Sequence, residues 1–175
     1  MMIDDIVGRV NRKLKEIGKY DDTIVMFAAD NGCAGYINMD KINRKGHYPS
    51  YIYRGYKSHG WEGGHRIPFI LSWGDRYGHV IDNSLVSLTD LYATFADMLG
   101  YRTADDEAED SFSFWPILDG SGSSARTDLI ATSGAGYFTY RTPQYKLIFN
   151  AGNGSGDEYR IDGQPPLQFY DMVSD

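Results

Sequence analysis

The sequence predicts an α/β fold: part of a doubly wound, mostly parallel sheet with its helices, followed by a small antiparallel sheet at the C-terminal end. Three observations carry this. A helical apolar pattern at residues 3–17 leads into an apolar run at 23–29. A second apolar run at 67–73 precedes a second helical pattern at 87–100. Beyond residue 120 the pattern changes to short segments broken by Gly and Pro.

In the first element, Ile3, Ile6, Val7, Val10, Leu14 and Ile17 fall at helical spacing and predict one buried stripe. Asp4 and Asp5 suit the positive end of a helix, Lys13 and Lys15 the opposite end, and Gly18 is the expected stop. The run TIVMFAA at 23–29 is short, β-branched at its start and almost wholly apolar, which reads as a parallel strand buried on both faces. It ends at Asp30. Ligands gather outside the carboxyl ends of strands in open α/β sheets, so this is a position where function is expected.

Residues 33–65 are polar, Gly-rich and Tyr-rich without a clear period, and read as a long functional loop. IPFILSW at 67–73 is the second strand, with Pro68 near its start, where a missing N–H does least harm. Leu88, Leu91, Tyr92, Phe95, Met98 and Leu99 form the next helical stripe, opened by Ser87 as cap and closed by Gly100. An acidic connection (103–111) and a Gly/Ser link (120–124) lead to strands expected at 129–132, 137–141, 145–149 and 167–170, an antiparallel meander. The expected organisation is an α/β part over 1–120 and a small antiparallel subdomain over 121–175.

A length of 175 residues suits one domain or a large piece of a bigger one. The second fits better, because a doubly wound domain has about five or more parallel strands and two or three are visible here. A formal charge of −7 argues against a general nucleic-acid binder. Cys33 is the only cysteine, which excludes an internal disulfide and leaves the compartment open. No apolar run approaches the roughly 20 residues of a membrane helix. The N-terminal segment is acidic and amphipathic, unlike a signal peptide.

Two stretches carry candidate chemistry. In Asp30-Asn31-Gly32 an anionic oxygen stands beside an amide oxygen, the donor type that a hard divalent cation accepts, although the same triplet is an ordinary turn. In YRGYKSHGWEGGHRIPF, residues 53–69, Lys57 taken alone reads as a solvated surface lysine and Glu62-Gly63-Gly64 as a turn. His59 and His65 read as polar loop residues, because two histidines six apart do not make a metal site by spacing.

Taken in order, these pieces resemble the arylsulfatase-type sulfatases of the alkaline phosphatase superfamily. The resemblance rests on Ala29-Asp30-Asn31-Gly32, on Gly55-Tyr56-Lys57 followed after four residues by Glu62-Gly63-Gly64, and on Arg66-Ile67-Pro68-Phe69-Ile70. It continues through SLTDLYATFADMLG (87–100), SFWPILDG (113–120), YRTPQYKLIF (140–149) and LQFYD (167–171), in the family's order over essentially the whole chain. It implies that Asp30 and Asn31 are ligands of a divalent cation, usually Ca2+ and sometimes Mg2+, and that the catalytic Lys57 contacts the sulfate ester. His59 and Trp61 would shape the substrate pocket, while Glu62, Gly63, Gly64 and Arg66 would be scaffold. The implied substrate is a sulfated carbohydrate or an aryl sulfate, and the implied compartment of a full-length protein is periplasmic or extracellular.

The family's nucleophile is a formylglycine made from Cys or Ser in a Cys/Ser-x-Pro/Ala-x-Arg signature. Cys33 is followed by Ala34, Gly35, Tyr36 and Ile37 and does not match it. The formylglycine is therefore expected in an N-terminal part of the sulfatase that this sequence lacks, and this chain alone is expected to be inactive. Two other readings stand beside this one: a phosphatase or phosphodiesterase of the same superfamily, and a non-catalytic carbohydrate-binding domain suited by 14 tyrosines and 3 tryptophans.

Overall fold

Helix α1, Met2–Glu16, ends as its sequence requires: Gly18 adopts a φ of +66°, and the Lys19 amide reaches back to the Leu14 carbonyl at 2.9 Å. The computed structural model describes residues 2–156 and 167–174. They divide into two compact units, one of Met1–Asp30 with Ile67–Ile81 and one of Asn31–Arg66 with Asp82–Asp175.

The first unit holds α1 and the strands β1, Ile24–Ala28, and β2, Phe69–Trp73. Three expectations are corrected here. The strands pair antiparallel, with Ile24 opposite Trp73 and Ala28 opposite Phe69. A parallel pair needs a crossover that carries the chain back to the starting end, whereas here the chain leaves β1 and enters β2 at the same end. Neither strand is buried on both faces, since Met26 and Ile70 are exposed. Likewise no residue of α1 is buried, and Ile3, Ile6, Val10 and Ile17 of its apolar stripe are exposed. One helix and two strands supply too little apolar surface to cover such a stripe. No helix among the described residues is long and apolar enough to cross a membrane.

In the second unit the stretch expected to be a plain loop contains two short helices, α2 at Met39–Asn43 and α3 at Glu62–His65. The next helix starts with a 3-10 turn at Leu88–Asp90 and continues as α4, Leu91–Met98. Ser87 caps it as expected, in a reciprocal box with Asp90, and Gly100 ends it at φ +68°. Helix α5, Trp115–Leu118, has Pro116 in its first turn, where the missing N–H is harmless.

Four strands then form the expected antiparallel meander: β3 Leu129–Thr132, β4 Phe138–Arg141, β5 Tyr145–Ile148 and β6 Gln168–Asp171, in that spatial order. Register sets two rows on one face, Ala131-Thr139-Ile148-Gln168 and Leu129-Arg141-Lys146-Tyr170. Thr139, Lys146 and Ile148 of these rows are buried. The opposite face carries Ile130, Phe138, Tyr140 and Phe169, all exposed.

Asp90 ties the helical segment to this sheet. Its carboxylate, 0% exposed, accepts two hydrogen bonds from the Arg126 guanidinium, at 2.8 Å from Nε and 2.5 Å from Nη2, and two from the backbone N–H groups of Ser87 and Phe112. Arg126 spends its remaining donors on the carbonyls of Asp128 and Asp110. Both buried charges are thus matched, and removing one strands the other. Asp90→Ala is expected to lower stability by about 3–5 kcal/mol, read as a lower urea midpoint with unchanged slope; a loss below about 1 kcal/mol would show the pair to be dispensable.

Candidate active site

Helix α3 is the hub that the backbone at Gly32 and the loop carrying Lys57 and His59 both meet. Glycine is required where backbones touch: a Cβ on Gly32 would lie 1.8 Å from the Gly63 carbonyl oxygen, and one on Gly64 would lie 2.1 Å from that of His59. The Gly32 N–H donates to the Gly64 carbonyl at 3.0 Å. The Lys57 N–H donates to the Cys33 carbonyl at 2.8 Å. The segment that begins with Asn31 and the loop that carries Lys57 and His59 are therefore joined backbone to backbone. Asp30 closes the first unit and immediately precedes Asn31 in the chain.

The side chains differ sharply in freedom. Lys57 is exposed, and its ammonium has no ion-pair or hydrogen-bond partner among the described residues. Asp30 is exposed and Asn31 half-buried. His59 Nδ1 accepts the Tyr56 N–H at 3.2 Å, which leaves the proton of the neutral ring on Nε2 as a donor. Burial first, and then the nearby Arg54 charge, hold the His59 pKa below the ordinary imidazole value and favour that neutral ring. Trp61 packs edge-on against His59, with centroids 5.4 Å apart.

The scaffold expected of Glu62 has a specific form. Its carboxylate accepts a hydrogen bond from Lys146 Nζ at 2.9 Å, and Arg141 Nε lies 3.5 Å away. Burial pushes the Glu62 pKa up, but Lys146, Arg141 and Arg66 outweigh it and hold the carboxyl below its usual range. For Lys146, burial lowers the pKa and Glu62 offsets part of that. His65 joins the cluster, with Nε2 donating to the Thr132 carbonyl at 3.0 Å and Nδ1 turned to Lys146 at 3.5 Å. Its pKa is lowered, by burial first and then by Lys146.

Sequence reasoning missed Lys146, Arg141 and Gln168. A signal existed for the first. In Tyr145-Lys146-Leu147-Ile148 the lysine shares a strand face with Ile148, so an inward Ile implies an inward charge that needs a partner. Gln168 gives no such signal. It accepts the Trp61 Nε1–H at 2.9 Å and donates to the Asn150 and Gly152 carbonyls.

The chain is similar to known proteins in both sequence and fold. The family model for sulfatases matches residues 1–101. An arylsulfatase of Hemicentrotus pulcherrimus is 31% identical over 95% of this chain and 30% of its own length. An N-acetylgalactosamine-6-O-sulfatase of Bacteroides thetaiotaomicron is 31% identical over 100% of this chain and 35% of its own. A solved structure from work on glycosaminoglycan metabolism by Bacteroides thetaiotaomicron superposes with a TM-score of 0.81 at 27% identity, covering 98% of this chain and 37% of that one. The chain thus spans about a third of the length of these relatives. With more than half of its residues matched by the family model and its fold shared with a solved relative, the chain belongs to the sulfatase family.

Proposed function

We propose that this chain is the C-terminal part of a sulfatase that hydrolyses sulfate esters of carbohydrates and accepts aryl sulfates. The observation that carries the reading is the backbone junction in which Gly32 meets Gly64 and Cys33 meets Lys57: it sets the backbone of Lys57, whose ammonium has no partner among the described residues, against the segment that starts at Asn31. A carbohydrate substrate is favoured by the similarity, along the whole chain, to an N-acetylgalactosamine-6-O-sulfatase.

Hydrolysis of a sulfate ester requires the group to be positioned and its charge offset as the alcohol leaves. Lys57 supplies a positive charge that no carboxylate among the described residues pairs with. His59, neutral and protonated on Nε2, supplies a hydrogen-bond donor that leaves the local charge unchanged. Asp30 and Asn31, neighbours in the sequence, are hard oxygen donors of the type a divalent cation, Ca2+ or Mg2+, accepts. Such a cation, when bound, polarises the sulfate oxygens and stabilises the nucleophile.

Two donors fall short of the six to eight oxygens that Ca2+ takes. Among the described residues no group of three or more His, Cys, Asp or Glu side chains lies together. The other ligands and the formylglycine nucleophile are assigned to the remainder of the longer protein.

Three outcomes test the reading. The purified 175-residue chain should not release the alcohol from an aryl sulfate above background, and steady turnover would refute the division of the site. In the full-length enzyme Lys57→Ala should lower kcat/KM by about 10²–10³-fold, in the range of losing one electrostatic contact to the transition state, while the melting temperature is retained. Asp30→Asn should raise the divalent-cation concentration needed for half-maximal activity by at least about tenfold, the scale on which changes to a metal site act; an unchanged requirement would remove Asp30 from the metal site.

A further inference from the structure

We propose that Lys146 is a positioning residue for the catalytic loop: paired with Glu62, it anchors the hub that sets where Lys57 and His59 stand. The inference rests on the reading of Lys57 given above. Lys146 lies on β5, far from Lys57 in sequence, and its side chain is 2% exposed, so it acts through its partners.

Those partners form a continuous path. Lys146 Nζ donates to Glu62 at 2.9 Å, and Glu62 is the first residue of α3. Arg141 lies opposite Lys146 in the β4–β5 register and approaches the same carboxylate oxygen, Oε1, at 3.5 Å. Helix α3 in turn receives the loop: the Gly63 N–H donates to the Arg54 carbonyl at 2.8 Å, and Gly64 packs against the His59 carbonyl. The loop touches the same sheet face again at Gly60, where an added Cβ would meet the Ile148 and Thr139 methyl groups at 3.1 and 3.3 Å. Nothing in this path is an exposed side chain with several resting places. A change in the Glu62 anchor therefore displaces the loop as a body, and a displacement of about 1 Å at a reacting group can cost on the order of a hundredfold in rate.

The test is a double-mutant cycle in the full-length enzyme with Lys146→Met and Lys57→Ala, reading kcat and KM separately for an aryl sulfate well below the melting temperature. Lys146→Met should lower kcat/KM by about 10–100-fold when Lys57 is present, and by a several-fold smaller factor in the Lys57→Ala background, because only the displacement of His59 is then left to act. Lys146→Arg, which keeps the charge, should recover part of the loss. Should Lys146→Met fail to fold, Glu62→Gln replaces it in the same cycle, since it retains shape and hydrogen bonding while removing the charge. The same fractional loss in both backgrounds, or a folded variant with unaltered kcat/KM, overturns the positioning role and leaves the role of Lys57 intact. A Lys57→Ala enzyme with full activity overturns the functional reading and this inference with it.

Discussion

The second unit turns on the contact between the Glu62 carboxylate and the Lys146 ammonium. Both charges are largely withdrawn from water, which costs several kcal/mol for each ion unless the opposite charge and further hydrogen bonds compensate. Here they do: Arg141 approaches the same carboxylate oxygen and His65 turns a ring nitrogen toward the ammonium. Such a cluster is tolerant of nothing that removes one member. It also has directional geometry, which an apolar contact of equal area lacks, and that suits a pair whose task is to hold α3 in one place.

What α3 holds is a loop with little regular structure of its own. Residues 54–61 are kept in shape by contacts with one face of the four-stranded sheet: Tyr170 to Arg54, Gln168 to Trp61, and Ile148 and Thr139 against Gly60. Strand alternation makes this possible, since it delivers Thr139, Lys146, Ile148 and Gln168 to the same face at ladder spacing. The sheet is therefore the mould for the loop. Lys57 and Lys146 differ in kind, one exposed and without an ion-pair partner among the described residues, the other buried and hydrogen-bonded to Glu62.

Several apolar surfaces stay open in this chain: the stripe of α1, the outer sides of β1 and β2, and the outer face of the meander. Each belongs to an element whose amphipathic pattern asks for a neighbouring layer. The chain spans about a third of the length of these relatives. Among the described residues β1, apolar on both sides, pairs only with β2.

The sequence by itself determined most of the elements and the family. Gly18 and Gly100 stop their helices because only glycine takes positive φ cheaply, Ser87 caps through its own hydroxyl, and the alternation after residue 128 produces the meander. These are local effects, carried within a few residues, and the order Asp30-Asn31-Gly32, Lys57, Glu62-Gly63-Gly64 named the family for a related reason, since spacing along the chain is itself a sequence property. Tertiary structure decided what depends on distant partners: the antiparallel pairing of β1 with β2, the exposure of the α1 stripe, and the union of Glu62 with Lys146 and of Trp61 with Gln168. Burial and charge pairing are properties of a neighbourhood. No residue carries them alone.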